Sequence, residues 1–236
     1  ANRLRPFVCS TTAMLRDRVA AGDRILFEAA NGMLLDVDHG TYPFVTSSGT
    51  TPTGVASGAG VPARSIVNVL GIVKAYATRV GRGPFPSELN DDTGDQIRRQ
   101  GNEYGSTTGR PRRCGWFDAV IAKYAIGING IDALVLTKID VLDKFETIKV
   151  CTGYKHNGKV YEEMPADLNC LQHSEPVYTE YEGWQENTVG ITCYDELPEK
   201  ARQYIESLGR MLDTKFLMIS TGPERNFTIH NGKLFE

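Results

Sequence analysis

The 236-residue sequence lacks several features that would assign it to common protein classes. No stretch approaches the roughly 18 consecutive apolar residues of a membrane span, and the N-terminus has no signal-peptide core. The five cysteines form no C-x-x-C pair, and the four histidines lack the spacing of metal ligands. The glycine-rich run 49–60 has no Gly-Lys-Ser/Thr ending, which excludes a phosphate-binding P-loop there. These absences predict a soluble, intracellular protein with reduced thiols and without a zinc site.

A strong charge of either sign is also missing. The chain has 26 basic and 29 acidic residues, so its net charge is -3. Without a global positive field, we expect no nucleic-acid or membrane partner, and any anion must be held by a local site. The hydrophobic fraction of 41% is enough for a sizeable core and excludes a disordered chain. The length fits one large domain or a piece of a longer protein.

The apolar spacing alternates between helical and strand-like segments, which predicts an α/β fold with a mostly parallel sheet. Residues 36–62 and 163–196 show little periodicity and are expected to be irregular. The predicted helices cover Ser10–Ala21, Arg64–Ala75, Thr93–Gln100, Trp116–Ile128 and Pro198–Leu212, and the predicted strands cover Ile25–Ala29, Tyr76–Val80, Ile131–Leu136 and Phe216–Ser220. Segments 146–154 and 159–162 flank Asn157-Gly158, which predicts an antiparallel hairpin excursion.

The apolar run ending at Leu136 is followed by Thr-Lys-x-Asp, with Lys138 and Asp140 at the polar positions. A carboxylate there can accept hydrogen bonds from both the N1–H and the exocyclic amine of guanine, while the lysine stem lies over the base. Adenine lacks that pair of donors. The alternative is an ordinary solvated loop, but the preceding buried strand favours a binding role.

Residues 105–113, GSTTGRPRR, place three arginines and three hydroxyl groups on one short loop. Arginine binds carboxylates and phosphates through two parallel hydrogen bonds, and hydroxyls and backbone N–H groups complete such a site. The loop therefore indicates an oxyanion-binding site, with a basic surface patch as the alternative. Asn31 and Thr46 offer weaker signals for a nucleotide, and we expect a structural role for Asp36 and Asp38 on a strand.

Several long motifs in a fixed order resemble the adenylosuccinate synthetase family over essentially the whole chain. They are EAANGMLLDVDHGTYPFVTSS, KAYATRVGRGPFPSEL, GNEYGSTTGRPRRCGW, LTKIDVLD and STGP. The resemblance implies a GTP-dependent ligase that joins IMP and L-aspartate to give adenylosuccinate, GDP and phosphate in purine biosynthesis. The alternative is a guanine-nucleotide-binding switch or regulatory module without ligase chemistry, which would have no need of an arginine loop that binds a dicarboxylate.

The resemblance also implies a role for each residue in the matching motifs. IMP would contact Asn31, Thr46, Val80, Gly81 and Arg110; aspartate would contact Ser106, Thr107, Thr108, Gly109, Arg110 and Arg112; GTP would contact Arg112, Lys138, Ile139, Asp140, Ser220, Thr221 and Gly222. In this family O6 of the base is first phosphorylated by GTP, and the aspartate amine then displaces that phosphate.

The family's N-terminal motifs do not occur in these residues. They include the phosphate loop, the aspartate that acts as base and binds Mg²⁺, the histidine that assists phosphoryl transfer, and an arginine that crosses the dimer. We therefore expect no catalytic residue and no metal ligand in this chain, which would be a single α/β domain fragment over 1–236. The implied fold is P-loop-NTPase-like, with helices on both faces of the sheet and the N-terminal part missing. The resemblance also implies a cytoplasmic homodimer. We expect this chain to be inactive without the N-terminal part.

Overall fold

The computed structural model describes residues 2–105 and 109–233. The chain divides into two compact units, residues 1–69 and residues 70–236. The expectation of a single domain over 1–236 stays a prediction. The first unit is mostly irregular with short helices, and the second contains the sheets.

The first unit contains two helices, α1 (Thr11–Ala20) and α2 (Pro52–Ala59), and three short 3-10 turns at Arg5–Phe7, Met33–Leu35 and Ala63–Ser65. The Ser10 hydroxyl caps α1 by accepting a hydrogen bond from the backbone N–H of Ala13. Helix α2 was not predicted, because its segment is rich in glycine. Pro52 occupies its start and Gly60 ends it in the left-handed conformation, so the termini define this helix.

The predicted strand 25–29 is wrong. These residues have no ladder partner in the part of the chain that the structure describes, and Leu26 is exposed. A strand requires a paired neighbour, so an apolar run alone was not sufficient.

The second unit carries ten strands and four helices among its described residues. The strands are β1 (Leu70–Lys74), β2 (Ala77–Arg79), β3 (Arg113–Gly115), β4 (Phe117–Asp118), β5 (Ala133–Thr137), β6 (Thr147–His156), β7 (Lys159–Tyr161), β8 (Glu175–Glu182), β9 (Phe216–Ser220) and β10 (Thr228–His230). The helices are α3 (Asp92–Gln100), α4 (Ala119–Asn129), α5 (Leu168–Gln172) and α6 (Glu199–Leu212).

The first sheet of this unit has the strand order β1-β5-β9-β10. Strands β1, β5 and β9 are parallel, and β10 runs antiparallel to β9. The register of β5 and β9 shifts after Leu134, so that Leu134 pairs with Phe216 but Val135 pairs with Met218. Helices α4 and α6 precede β5 and β9, as expected for an α/β unit. The predicted α/β fold with a mostly parallel sheet is confirmed.

The predicted helix 64–75 is wrong. Its residues form a 3-10 turn and then β1, which pairs in register with β5 from Leu70 to Lys74. The segment is rich in β-branched residues, and pairing with a buried strand outweighs a helical apolar spacing. The predicted helix 116–128 begins later, because its first residues form β4 and Asp118 caps α4.

The other two sheets are mainly antiparallel. One joins β2 and β3, and the other surrounds β6, which pairs with β4, β7 and β8. The predicted hairpin is confirmed, and both Asn157 and Gly158 have positive φ as its tight turn requires. Segment 163–196 was expected to be irregular, but it contains α5 and β8. Strand β8 is defined by its pairing with the distant β6 rather than by a local pattern.

Candidate functional site

The carboxyl ends of β1, β5 and β9 lie at one edge of the parallel sheet. Lys74 ends β1, Lys138 follows β5, and Thr221 follows β9. Ligands of open α/β sheets bind in the crevice outside such strand ends. Two of the segments predicted to recognise guanine therefore leave neighbouring strands at the same edge.

The loop after β5, residues 138–143 (the β5 loop), begins with Lys138 in the left-handed conformation at φ 61°. Ile139 is fully buried in the core, so any contact it makes with a nucleotide would come from its backbone. The Oδ1 atom of Asp140 is buried and has no hydrogen-bond partner among the described residues. Burial raises the pKa of Asp140, and the nearby charge of Asp143 adds to this. A buried acceptor without a donor is costly, and this oxygen has the capacity to accept a hydrogen bond from a group outside the described residues.

Asp143 fixes the far end of the β5 loop. Its carboxylate accepts hydrogen bonds from the indole N–H of Trp184 at 2.7 Å and from the backbone N–H and the hydroxyl of Thr188, both at 2.8 Å. Burial raises the pKa of Asp143 in spite of these three donors. The bonds hold segment 184–188 against the β5 loop.

The loop after β9, residues 221–227 (the β9 loop), is held to a neighbouring segment. The Thr221 hydroxyl donates to the carbonyl oxygen of Ile191 at 2.8 Å, and the Ser220 hydroxyl donates to that of Gly222 at 3.0 Å. A Cβ atom at Gly222 would lie 2.8 Å from Cδ2 of Phe227, closer than real contacts allow. Glycine is therefore required here for close packing of the loop.

The arginine loop, residues 103–113, is closed at its base by backbone hydrogen bonds. The N–H of Gly105 donates to the carbonyl of Arg110, and the N–H of Arg112 donates to that of Glu103. Gly109 has φ 63°, a conformation that suits glycine. Three residues predicted to bind aspartate, Ser106, Thr107 and Thr108, lie outside the described residues.

Glu103, at the base of the arginine loop, is fully buried and accepts hydrogen bonds from three side chains. Its Oε1 accepts from Lys74 Nζ at 2.7 Å and from the Tyr76 hydroxyl at 2.5 Å, and its Oε2 accepts from Arg112 Nη1 at 2.7 Å. Lys138 Nζ lies 3.7 Å from Oε1. We call these five residues the Glu103 cluster.

The charges of the Glu103 cluster decide its protonation. Burial by itself would raise the pKa of Glu103, but the hydrogen bonds from Lys74 and Tyr76 and the charge of Lys74 outweigh burial and lower it. Burial lowers the pKa of Lys74 although Glu103 opposes this. The cluster therefore contains an ionised carboxylate beside three basic side chains.

Arg113 holds the turn that contains Val80 and Gly81. Arg113 forms a two-bond ion pair with Glu88, with Nε–Oε1 at 2.7 Å and Nη2–Oε2 at 2.5 Å. Its Nη1 donates to the carbonyl oxygens of Gly81 at 3.2 Å and Gly83 at 2.9 Å. Val80 is exposed and Gly81 has φ 77°, so the turn presents its backbone.

Asn31 and Thr46 belong to the first unit, in a loop organised by Asp36. The buried Asp36 carboxylate accepts hydrogen bonds from the backbone N–H groups of Asp38, His39 and Thr50. Burial would raise the pKa of Asp36, but these bonds lower it. The structural role predicted for Asp36 agrees with this geometry, although the segment is a loop and not a strand.

The structure thus brings several predicted residues together in the second unit. Glu103 joins Arg112 to Lys138, and β5 and β9 lead to Asp140 and Thr221 at one sheet edge. Sequence reasoning missed Glu103 and Lys74. Lys74 was placed in a predicted helix, and a strand assignment would have put it at the carboxyl edge of the sheet.

Two negative findings concern the described residues only. Residues 2–105 and 109–233 contain no group of three or more His, Cys, Asp or Glu side chains that could hold a metal ion. In the same ranges, no helix combines the length and the apolar character needed to cross a membrane.

Comparison with known proteins places this geometry in context. A family model described as adenylosuccinate synthetase matches residues 1–229. The adenylosuccinate synthetases of Trichlorobacter lovleyi and Geotalea daltonii are 52% identical over 229 residues and 50% identical over 236 residues; these alignments cover 97% and 100% of this chain. They cover 53% and 55% of the relatives, so the chain spans about half the length of the curated relatives it matches.

Solved structures agree with the sequence comparison. The structure of fully ligated adenylosuccinate synthetase from Plasmodium falciparum superposes with a TM-score of 0.93 at 41% identity, covering 97% of this chain and 55% of that one. A cyanophage S-2L succinoaminodeoxyadenylate synthetase, 20% identical with a TM-score of 0.56, covers 94% of this chain and 50% of that one, and shows the fold alone.

Proposed function

The chain belongs to the adenylosuccinate synthetase family, and from this premise we propose that it forms the guanine-selecting, aspartate-binding part of a GTP-dependent ligase. The enzyme would join IMP and L-aspartate to give adenylosuccinate, GDP and phosphate in purine biosynthesis. Its whole activity would require the part of the relatives' length that this chain does not span.

The observation that carries the proposal is the unpartnered Oδ1 atom of Asp140 at the carboxyl edge of the sheet. Guanine offers two adjacent donors, N1–H and the exocyclic amine, which match the two oxygens of one carboxylate. Lys138 begins the same loop, and its stem would cover the base. Ser220, Thr221 and Gly222, at the neighbouring strand end, would flank the base from the other side.

The arginine loop would bind the second substrate. Arg110 and Arg112 would hold the aspartate carboxylates together with the segment 106–109, and this would direct the amine toward C6 of the phosphorylated base. In that step a C–N bond forms, the C6–O6 bond breaks, and phosphate leaves with the bonding electrons. Basic side chains beside the dianion would stabilise the charge that develops.

IMP would contact Asn31, Thr46, Val80, Gly81 and Arg110, as the motifs shared with the family imply. The Arg113–Glu88 ion pair supports this assignment, because Arg113 donates to the Gly81 carbonyl and so holds the turn.

We also propose that the enzyme uses Mg²⁺, acts as a cytoplasmic homodimer and obtains its catalytic base outside these residues. The ligands of Mg²⁺ would lie mainly in the part of the relatives' length that this chain does not span. Sedimentation of the protein, extended to the length of its relatives, tests the homodimer.

The experiment that tests the function is adenylosuccinate formation by the protein extended to the length of its relatives, with GTP and with ATP. We expect activity with GTP and not with ATP. Asp140→Asn should raise the KM for GTP about 100-fold, because a charged acceptor of two hydrogen bonds is lost. The Asp140→Asn variant should recover activity with xanthosine triphosphate, because the C2 carbonyl of that nucleotide accepts a hydrogen bond from the asparagine amide.

Asp213→Asn is the matched control, because Asp213 is an exposed aspartate at the end of α6. It should leave the KM for GTP unchanged. Guanine nucleotide binding without adenylosuccinate formation in the extended protein would favour the switch or regulatory module.

A further inference from the structure

We propose that Glu103 is a positioning residue that couples the arginine loop to the β5 loop, so that binding of guanine nucleotide strengthens binding of aspartate. The inference rests on the proposed function and deepens it. Its basis is the position of one buried carboxylate between two loops that would hold different substrates.

The two oxygens of Glu103 hold different segments. Oε2 accepts from Arg112 at 2.7 Å, in the loop that would bind aspartate. Oε1 accepts from Lys74 at the end of β1 and lies 3.7 Å from Lys138 in the loop that would bind guanine. A shift of either loop therefore changes a contact of the same carboxylate.

The backbone ties the two loops together at the same place. Lys138 Nζ donates to the carbonyl oxygen of Gly101 at 2.5 Å, two residues before Glu103. Arg98 Nε donates to the carbonyl of Arg112 at 2.8 Å, and the N–H of Glu103 donates to that of Arg98. The β5 loop and the base of the arginine loop therefore share a short path of hydrogen bonds through the 98–103 segment.

The charges leave capacity for anionic ligands. Three basic side chains surround one carboxylate, and those of Arg112 and Lys138 are 33% and 38% exposed. Arg112 Nε is buried without a hydrogen-bond partner among the described residues. Arg112 is thus fixed by Glu103 through one nitrogen and retains a donor that Glu103 does not satisfy.

These contacts explain how occupancy of one loop would act on the other. A guanine nucleotide that packs on the Lys138 stem would fix the position of its ammonium group beside Oε1 of Glu103, and so fix the carboxylate that positions Arg112. Aspartate then binds to an arginine that is already oriented, which costs less conformational freedom. By linkage, aspartate must strengthen nucleotide binding by the same factor.

The test uses the protein extended to the length of its relatives, with IMP saturating and GDP in place of GTP so that no reaction occurs. Calorimetry measures the Kd of L-aspartate with and without GDP, and the Kd of GDP with and without L-aspartate. We expect GDP to tighten aspartate binding at least about fivefold, with the reciprocal factor equal. In Glu103→Gln the factor should fall to about one, and Glu103→Asp, which keeps the charge, should restore part of it.

Glu180→Gln is the matched control, because it removes the carboxylate partner of a lysine, Lys149, in an ion pair outside the Glu103 cluster. It should keep the full coupling factor. If Glu103→Gln fails to fold, Tyr76→Phe removes one hydrogen bond from Oε1 without changing any charge and should lower the factor partway.

If Glu103→Gln folds, an unchanged coupling factor in that variant would overturn the inference. If it does not fold, an unchanged coupling factor in Tyr76→Phe would overturn it. So would the absence of coupling in the native protein. Adenylosuccinate formation by the native protein is measured alongside. Its absence would count against the proposed function, whereas the coupling factor decides the role of Glu103.

Discussion

Two buried carboxylates in the second unit, Glu103 and Asp118, show opposite electrostatic behaviour. Glu103 is 0% exposed and Asp118 is 6% exposed, so burial hardly distinguishes them. The pKa of Glu103 lies below its usual value, whereas burial raises the pKa of Asp118 to about 6 despite hydrogen bonds from Ile121 and Tyr154. The difference arises from their neighbours, which are cations around Glu103 and neutral donors around Asp118.

Glu103 lies in the candidate site, whereas Asp118 stabilises a helix and a sheet outside it. Asp118 caps α4 and accepts a hydrogen bond from the Tyr154 hydroxyl at 2.8 Å, within the sheet around β6 and a small apolar cluster packed there. Glu103 lies beside the edge where β1 and β5 end. Glu103 thus keeps its charge at lower pH than Asp118 does, and Asp118 performs a structural task as the cap of α4.

Removal of each carboxylate should produce the largest difference between them. Glu103→Ala leaves three basic side chains without their shared counter-charge, and we expect the free energy of unfolding to fall by about 3–5 kcal/mol. Asp118→Ala leaves a tyrosine hydroxyl and one backbone N–H without an acceptor, at a cost of about 1–3 kcal/mol. Denaturant unfolding of the extended protein measures both values. Equal losses of unfolding free energy in the two variants would mean that the cations around Glu103 do not make its removal more costly.

The pH dependence of stability should sharpen the comparison. Because the folded-state pKa of Asp118 is raised from 3.8 to about 6, the folded protein binds more protons than the unfolded protein between these values. Its contribution to the free energy of unfolding should therefore decrease by about 3 kcal/mol as pH rises through this window. For Glu103 the sign is opposite, since a lowered pKa gives stability above the usual value of 4.5 that is lost as pH falls.

Subtraction of the Asp118→Asn profile from the native profile isolates the contribution of Asp118, because Glu103 is common to both. Unfolding curves from about pH 4 to about pH 7 provide the data. A flat difference across that range would show that Asp118 titrates normally and would remove the contrast.

The smallest expected effects come from the tyrosines. Tyr76→Phe and Tyr154→Phe each remove a hydrogen bond to a buried carboxylate, and each should lower the free energy of unfolding by about 2 kcal/mol. Only Tyr76→Phe should also raise the KM for aspartate, because Tyr76 contacts the carboxylate that holds Arg112. Steady-state kinetics of the two variants checks this. A rise in the KM for aspartate with Tyr154→Phe would show that the site extends to the sheet around β6.

Elements with strong local signals were predictable from the sequence. Strand β5 with its Thr-Lys-x-Asp ending, helix α6 with its apolar face, and the Asn157-Gly158 hairpin all follow from patterns within a few residues. Strands β1 and β8 were missed because each is defined by pairing with a strand far away in the chain. Helix α2 was missed because glycine has a low helix propensity and its segment contains several glycines.

The candidate site was predictable to a similar extent. Loop chemistry indicated Lys138, Asp140 and the arginines as candidates, since each motif brings its polar groups together in adjacent residues. Glu103 has no such motif, because its role depends on Lys74, Arg112 and Lys138, which come together only through the sheet. A single glutamate in a sequence contains no sign of that arrangement.

The register shift between β5 and β9 has a consequence for insertions and deletions. The pairing passes over Leu217, so that Leu136 lies beside Ile219 and the two strands end one residue later at Thr137 and Ser220. Deletion of this one buried residue would draw the β9 loop back along the sheet by about 3.3 Å and reverse the faces of the residues that follow. The alignment of the two loops therefore depends on the number of residues in β9, including the buried Leu217, to which no ligand contact is assigned.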